Sequence, residues 1–283
     1  MNSVLITGGT GTLGHGIVER LLQKDECRRI CILSRSEKDQ AAMSRKFSDD
    51  RLRFFIGDVR DYFRLRRAMD GCEIVIHAAA LKRIEVGVYN PDEMVKTNVQ
   101  GSINVVEAAR QADVEKCVLV STDKAFQPIS PYGYSKAIAE SLFLAADSQR
   151  SVTGPRYSGV RYGNVWGSAG SVVPLWRGIL ASGGRPTITD PECTRFFMLL
   201  ADAVSFVLGA VEKMRGGEIF VPDLPAYRLG DLAQAMFDPV RQGWTQMDKA
   251  GLPSHEKLHE SMEEGKCSKD ARRMSIEELR SHL

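Results

Sequence analysis

This 283-residue sequence lacks paired cysteines, a long apolar run and any excess of charge of one sign. Its six cysteines (Cys27, Cys31, Cys72, Cys117, Cys193, Cys267) are scattered, with no Cys-x-x-Cys pair among them. Most fall in apolar stretches, which predicts reduced core thiols in a cytoplasmic protein. Basic residues number 38 and acidic residues 36, a formal net charge of +2. That balance gives no electrostatic case for nucleic acid or an anionic membrane as a partner. No apolar run reaches the roughly 18 residues that a membrane-spanning helix needs. The first seven residues already read as a strand, without a charged or apolar leader pattern, so neither export nor insertion is expected. Internal repeats and low-complexity linkers are also missing.

What is there is an alternation of strand-like and helical runs. Short apolar strands are predicted over 4–6, 30–33, 52–56, 73–77, 116–121 and 158–162. Helical patterns lie between them over 17–22, 91–112 and 131–146, the second with Val95, Val99, Ile103, Val106 and Ala109 on one side. This alternation predicts an α/β fold, a Rossmann-type doubly wound parallel sheet covered on both faces. After about residue 165 the pattern loosens, with helices over 172–180, 201–214 and 229–236, a strand over 217–221 and a polar tail after Pro239. Residues 1–165 are therefore expected to bind a dinucleotide. Residues 166–283 are expected to form a smaller substrate lobe, partly interleaved with the first.

The run Thr7-Gly8-Gly9-Thr10-Gly11-Thr12-Leu13-Gly14 joins the first strand to a helix. A side chain at Gly8 would block the tight turn, at Gly11 would hold the backbone off a pyrophosphate, and at Gly14 would push the helix off the sheet. The free N–H groups of the helix N-terminus would then face the phosphates, with Thr10, Thr12 and Leu13 completing the turn. An acid at the tip of the second strand would favour NAD. Here the tip carries Ser34 and Arg35, with Lys38 close by, and a guanidinium suits a 2′-phosphate. NADP is expected over NAD. Asp58-Val59, after the third strand, is placed to reach the adenine amino group.

Tyr132 and Lys136 form a Tyr-x-x-x-Lys element on a predicted helix, downstream of Ser121 at a strand end. Positions four apart share a helix face. An ammonium beside a phenol favours phenolate, and such a tyrosine can take a proton from a substrate hydroxyl while hydride leaves the same carbon. Tyr134 competes for the role but has no lysine four residues on.

The glycine turn, Asp58-Val59, His77-Ala78-Ala79-Ala80 and Tyr-x-x-x-Lys resemble the extended short-chain dehydrogenase/reductases. A longer series resembles the UDP-N-acetylglucosamine 4,6-dehydratases within them. It comprises Ala80-Leu81-Lys82, Tyr89-Asn90-Pro91, Lys96-Thr97-Asn98, Ser121-Thr122-Asp123-Lys124-Ala125, Arg161-Tyr162-Gly163-Asn164-Val165, Thr194-Arg195-Phe196, the 216–222 run and Glu256-Lys257-Leu258-His259-Glu260. The Asp-Lys pair with an active-site tyrosine resembles the form that inverts C5. The resemblance implies cofactor contacts at Ala78, Ala79 and Asn98. It implies substrate contacts at Lys82, Asn164, Val172, Arg195 (on the diphosphate) and Glu256 (on the uridine). It also implies a homo-oligomer, a dimer or hexamer.

Such a dehydratase oxidises C4 of the sugar, eliminates water across C5–C6 and returns the hydride to C6. The C4 ketone makes the C5 proton acidic. Tyr132 suits the base at O4. Asp123 is the candidate acid at O6, which requires a raised pKa. Lys124 is the candidate base at C5 and must be neutral to act, so burial or a nearby Lys136 is expected to depress its pKa. The sequence departs from the family at Arg83, often histidine in relatives. It departs again at Leu252-Pro253-Ser254-His255-Glu256, where relatives read Arg-Pro-Gly-Glu and have a longer tail. Rival readings are an epimerase or ketoreductase on the same fold and a silent NADP-binding module. His255-Glu-Lys-Leu-His259 also spells the zinc-peptidase pattern and would need to be helical to hold zinc. No metal site is expected.

Overall fold

The computed structural model describes residues 1–24, 27–237 and 247–283; Pro239, where the polar tail was expected to start, lies outside them. The strands that build the large sheet first are β1 (Ser3–Thr7), β2 (Arg29–Ser34), β3 (Leu52–Ile56), β4 (Ile74–His77), β5 (Lys116–Val120) and β6 (Arg156–Val160). Four short strands follow: β7 (Asn164–Val165), β8 (Thr187–Ile188), β9 (Thr194–Met198) and β10 (Ile219–Phe220), then β11 (Ala226–Arg228). The large sheet has seven strands in the order β10-β6-β5-β4-β1-β2-β3. All its pairings are parallel. The strand order reverses between β1 and β4, and a crevice opens there at the carboxyl ends of a sheet of this kind.

Both faces of the sheet are buried, and the period-2 alternation of each strand sorts its side chains between two cores. Val4, Ile6, Ile30, Ile32, Ile76 and Val118 face one layer. That layer contains α1 (Thr12–Leu22) and α9 (Leu200–Lys213), through Ile17, Val18, Leu21, Val204, Val207 and Val211. Leu5, Cys31, Leu33, Val75, Cys117 and Leu119 face the other. There α3 (Tyr62–Met69), α6 (Gly101–Gln111) and α7 (Pro131–Ser148) supply Leu65, Val105, Ala108, Ala109, Ala139 and Phe143. Truncating one of these leucines to alanine would cost about 2–5 kcal/mol. The thiols of Cys27, Cys31, Cys72, Cys117 and Cys193 are buried, and Cys267 is half-buried. α2 (Glu37–Phe47) adds Met43 to the first layer, and α4 (Ile84–Tyr89) and α5 (Pro91–Met94) pack against α7.

The helix expected over 91–112 is present without a break from Pro91 to Gln111, but its pitch changes inside it. It runs as α5, a π-helical turn over Val95–Gln100, then α6. The wider turn rotates the buried face, so Val95 is 54% exposed and the core face starts from Met94, Thr97 and Asn98. The chain beyond residue 165 does not form a detached unit. β10 adds the seventh strand beside β6, and α9 packs on α1. A third core lies around α8 (Val172–Ala181) and α10 (Leu229–Met236), with Trp176, Phe197, Tyr227, Leu232 and Leu279. There β9 pairs with β7 and β11 in a small three-stranded sheet. Among the described residues no helix is long and apolar enough to cross a membrane.

Candidate active site

A cleft of about 800 Å³ runs along the carboxyl edge of the large sheet. One end is lined by Gly8, Thr10, Gly11, Thr12, Leu13, Gly14, Ser34, Arg35, Asp58 and Val59, and the other by Lys82, Lys124, Tyr132, Asn164 and Glu256. At the first end β1 turns sharply into α1. Gly8 has φ +67°, and a Cβ there would lie 2.8 Å from Ala79 Cα; a Cβ at Gly14 would lie 2.2 Å from the Gly9 carbonyl oxygen. Gly11 is the N-cap of α1 and provides no side-chain cap, so the first N–H groups of the helix are left for an anion. The residues present therefore fit the pyrophosphate of a dinucleotide: a cradle that any Cβ would fill, beneath a helix N-terminus.

The adenosine end is mixed in charge. Ser34 is tied down by Gln40, whose Nε2 donates to its Oγ at 3.0 Å and its carbonyl at 3.1 Å. Arg35 is exposed on the cleft wall, whereas Lys38 is exposed on α2 and does not line the wall. Asp39, not singled out from the sequence, does line it. Asp58 accepts from Arg60 Nη2 at 2.7 Å. Burial works to raise its pKa, but the hydrogen bonds from Arg60 outweigh that and hold it low.

Ala78 and Ala79 line the floor of the cleft, and Ala79 N donates to Thr7 Oγ1 at 3.2 Å. Asn98 is buried away from the cleft wall. Its Oδ1 accepts from Leu81 N at 2.8 Å, and its Nδ2 donates to Leu81 O and Ser135 Oγ, both at 2.9 Å. It thus ties the loop carrying Lys82 to the helix carrying Lys136.

At the chemical end, β5 leads into Ser121, Thr122 and a single 3₁₀ turn, Asp123–Ala125. Asp123 is fully buried. Its Oδ1 accepts from Thr122 Oγ1 at 2.9 Å and from Lys124 Nζ at 3.0 Å, while its Oδ2 is buried without a hydrogen-bond partner. Burial pushes its pKa up, as an acid at O6 requires. α7 starts with Pro131 at its first position, and its cap Ser130 accepts from Gly133 N at 3.1 Å. Tyr132 on the cleft wall and the buried Lys136 are one turn apart on it; Tyr134 is 53% exposed and off the wall. Gly133 lets the Asp123–Ala125 turn and α7 approach closely, because a Cβ there would lie 2.4 Å from the Lys124 carbonyl oxygen.

Two electrostatic expectations are corrected. Burial works against the Lys124 ammonium, but the carboxylates of Asp123 and Glu260 outweigh it and hold the group above the ordinary lysine range. Lys124 is therefore charged in the protein alone, not neutral. Tyr132 is not a phenolate either: burial pushes it up to about 12, against the pull of Lys124 and a hydrogen bond with Thr122. Lys136 is itself brought down to about 8 by burial, with Glu140 one turn on opposing the shift.

Of the expected substrate contacts, Lys82, Asn164 and Glu256 line the cleft, and Lys124 Nζ donates to Asn164 Oδ1 at 3.4 Å. Arg195 does not line it. Its buried guanidinium donates to Glu256 Oε1 at 2.6 Å and to the carbonyls of Thr194 and Leu258 at 2.8 and 3.2 Å. Val172 packs against the third core, and its neighbour Ser171 lines the cleft instead. The 255–259 segment is not helical, so its two histidines do not share a helix face, and His259 Nδ1 lies 2.9 Å from Thr194 Oγ1. Among the described residues no cluster suits a metal ion.

Sequence reasoning missed the role of Glu260. It is buried, with Oε1 3.3 Å from Lys124 Nζ. The motif around it was visible, but nothing in sequence order tells that it meets Lys124.

The sheet order, glycine cradle and Tyr132–Lys136 pair define a Rossmann-type short-chain dehydrogenase/reductase. The chain belongs to the polysaccharide biosynthesis protein family, which matches residues 4–278. It is 43% identical over 261 residues to the inverting UDP-N-acetylglucosamine 4,6-dehydratase of Campylobacter jejuni, covering 92% of this chain and 77% of that one. It is also 43% identical over 239 residues to a UDP-glucose 4-epimerase of Rickettsia canadensis, covering 83% and 70%. Among solved structures it is similar to Pen from Bacillus thuringiensis, with a TM-score of 0.93, 32% identity and coverage of 99% and 96%.

Proposed function

We propose that this protein is an NADP-holding nucleotide-sugar 4,6-dehydratase that acts on UDP-N-acetylglucosamine and inverts C5. The observation that carries the reading is the pair of buried Asp123 and half-buried Lys124, joined at 3.0 Å, with Lys124 beside Tyr132 on the cleft wall. An epimerase needs a base at O4 but no second acid–base pair. The 4-keto-6-deoxy product would belong to the L-arabino series, a precursor class for surface glycans.

In this reading the glycine turn from Gly8 to Gly14 holds the pyrophosphate, Arg35 takes the 2′-phosphate, and Asp58 and Val59 flank the adenine. Ala78 and Ala79 form the floor, Asn98 braces it, and Lys136 holds the nicotinamide ribose. A nicotinamide held there would supply the hydride acceptor for C4 and the hydride donor for C6. Tyr132 receives the O4 proton; its high pKa in the protein alone means that Lys136 and the bound cofactor must together lower it.

The charge state of Lys124 is resolved by its neighbour. Its Nζ–H proton passes to Asp123, giving a neutral amine and a neutral acid with no change in net charge. The amine then takes the C5 proton, and the acid gives its proton to the departing O6, which leaves as water. After water loss both groups stand as they began, ammonium and carboxylate; as hydride reaches C6, C5 takes a proton drawn from solvent on its opposite face, which inverts it. Lys82 and Asn164 hold the nucleotide-sugar, with Ser171 closing one side. Arg195, which Glu256 now engages, would meet the diphosphate only on exchanging that partner.

Incubation with UDP-N-acetylglucosamine and NADP tests the proposal by mass spectrometry. A product lighter by one water supports it. A new epimer of unchanged mass would favour the epimerase, the name that one relative carries. No turnover of any nucleotide-sugar would favour a silent binding module.

A further inference from the structure

The C-terminal strap is built into the catalytic loop from two sides. Residues 256–260 run along β9, where Thr194 N donates to Leu258 O at 2.9 Å. Glu260 is pinned at its backbone, its N donating to Ser268 Oγ at 2.9 Å and its carbonyl accepting from Ser268 N at 2.7 Å. Lys257 Nζ reaches across to the Phe126 carbonyl at 2.7 Å, just past the Asp123–Ala125 turn. These anchors carry a nearly fully buried carboxylate to within 3.3 Å of Lys124 Nζ. Its second oxygen, Oε2, is buried without a hydrogen-bond partner, and Lys257 Nζ lies 3.7 Å from it. A buried carboxylate half satisfied in this way is costly, and the strap that enforces it ends on a group of the reaction.

We infer that Glu260 is a positioning residue: from the tail it holds the Lys124 ammonium against Asp123 and controls when that pair gives up its shared proton. The inference rests on the dehydratase reading for its consequence in catalysis, but not for the contact itself. The charged groups facing Lys124 are Asp123 from its own turn, Glu260 from the strap and Arg195 from β9, with Lys257 on the far side of Glu260. Tyr132 from α7 and Tyr227 from β11 are the neutral titratable groups beside them. Asp123 and Glu260 thus both favour the Lys124 ammonium, against Arg195. Burial works to raise the pKa of Glu260, but Lys124, Arg195 and Lys257 keep it low, so it stays charged. Water loss needs one proton on the Asp123–Lys124 pair. Above the pH at which that proton leaves, Lys124 is neutral but Asp123 has nothing to give O6, and the rate falls. Removing the Glu260 charge should let the proton leave at lower pH.

Two readouts on the NADP-loaded protein test this. In Glu260→Gln, the alkaline limb of the kcat profile with UDP-N-acetylglucosamine should move down by about 1–3 pH units, the shift expected on losing an opposite charge this close. Trace acetylation with acetic anhydride, read at the Lys124 peptide against pH, should show the same displacement and needs no turnover. Glu260→Asp keeps the charge but withdraws it, so its acetylation profile should fall between the other two. If Glu260→Gln does not fold, a Glu260→Asp profile identical to the unaltered protein overturns the inference. Unchanged acetylation and unchanged limb in Glu260→Gln overturn it as well. A displaced acetylation profile in a protein that never releases water would sink the dehydratase reading and leave the role of Glu260 standing.

Discussion

The two ends of the cleft are built by different means. At the dinucleotide end, a cradle is folded from eight consecutive residues, and its working parts are backbone N–H groups and missing side chains. At the chemical end, Asp123 and Lys124 meet Glu260 from the tail, Arg195 from β9 and Tyr132 from α7, and the working parts are charges in a dry site. The first depends on local geometry and is insensitive to pH. The second depends on distant segments arriving in register, and each group sets the protonation of the next.

That contrast can be broken by separating binding from chemistry. Asp123→Asn or Lys124→Met should lower the rate of water loss by about a hundredfold to ten-thousandfold. Both should leave dinucleotide affinity, read by calorimetric titration, as it was. A parallel loss of dinucleotide binding would show that the two ends are one unit. Gly133→Val should act almost as strongly without touching any charge. Its Cβ would displace the Lys124 carbonyl, and misplacing the loop by an ångström should cost about a hundredfold in rate. A rate near that of the unaltered protein would show that the loop can slide on α7 at no cost.

The dinucleotide end has its own weak point at Arg35. Arg35→Ser should weaken NADP about tenfold to hundredfold, the worth of a charge-assisted hydrogen bond, and leave NAD unchanged. Equal affinity of the unaltered protein for both dinucleotides would remove the preference altogether. Asp39 on the same wall gives that comparison its edge, since an acid there opposes a 2′-phosphate.

The smallest expected effect concerns a buried histidine beneath the cleft. His77 closes β4, with Nδ1 2.7 Å from Thr7 Oγ1 and Nε2 3.2 Å from Ser102 Oγ. Burial, aided by Lys136, brings it from an ordinary 6.5 down to about 3. In that window the unfolded chain binds a proton that the native protein refuses, so stability is full above pH 6.5 and falls as the pH drops toward 3. The slope from this one group is at most about 1.4 kcal/mol per pH unit. Urea denaturation at pH 7 and pH 5 should show a flatter dependence in His77→Asn.

The same contrast explains what was legible in the sequence. The parallel sheet, the glycine turn and the Tyr132–Lys136 pair are periodic or local, and spacing alone discloses them. The π-helical turn at Val95–Gln100 was hidden because one extra residue per turn leaves the apolar count unchanged and only rotates the face. The charge on Lys124 was misjudged because its neighbour Asp123 was read as a protonated acid and not as the carboxylate that raises it, while Glu260 is set beside it only by the tail. Arg195 and Glu256 were each assigned to substrate, and their mutual hydrogen bond became visible only when β9 and the strap were side by side. Gly133 stood inside the Tyr-x-x-x-Lys element, yet its contact with the Lys124 carbonyl depends on a loop that precedes the helix.

The claim that binds the two ends together is that the hydride taken at C4 is returned at C6 within one turnover. The protein should be loaded with NADP and given UDP-N-acetylglucosamine in heavy water, with absorbance of reduced dinucleotide and product mass followed together. The account predicts a product that has lost one water and gained one deuterium at C5, with no net reduced dinucleotide. Reduced dinucleotide that accumulates in step with product would contradict it.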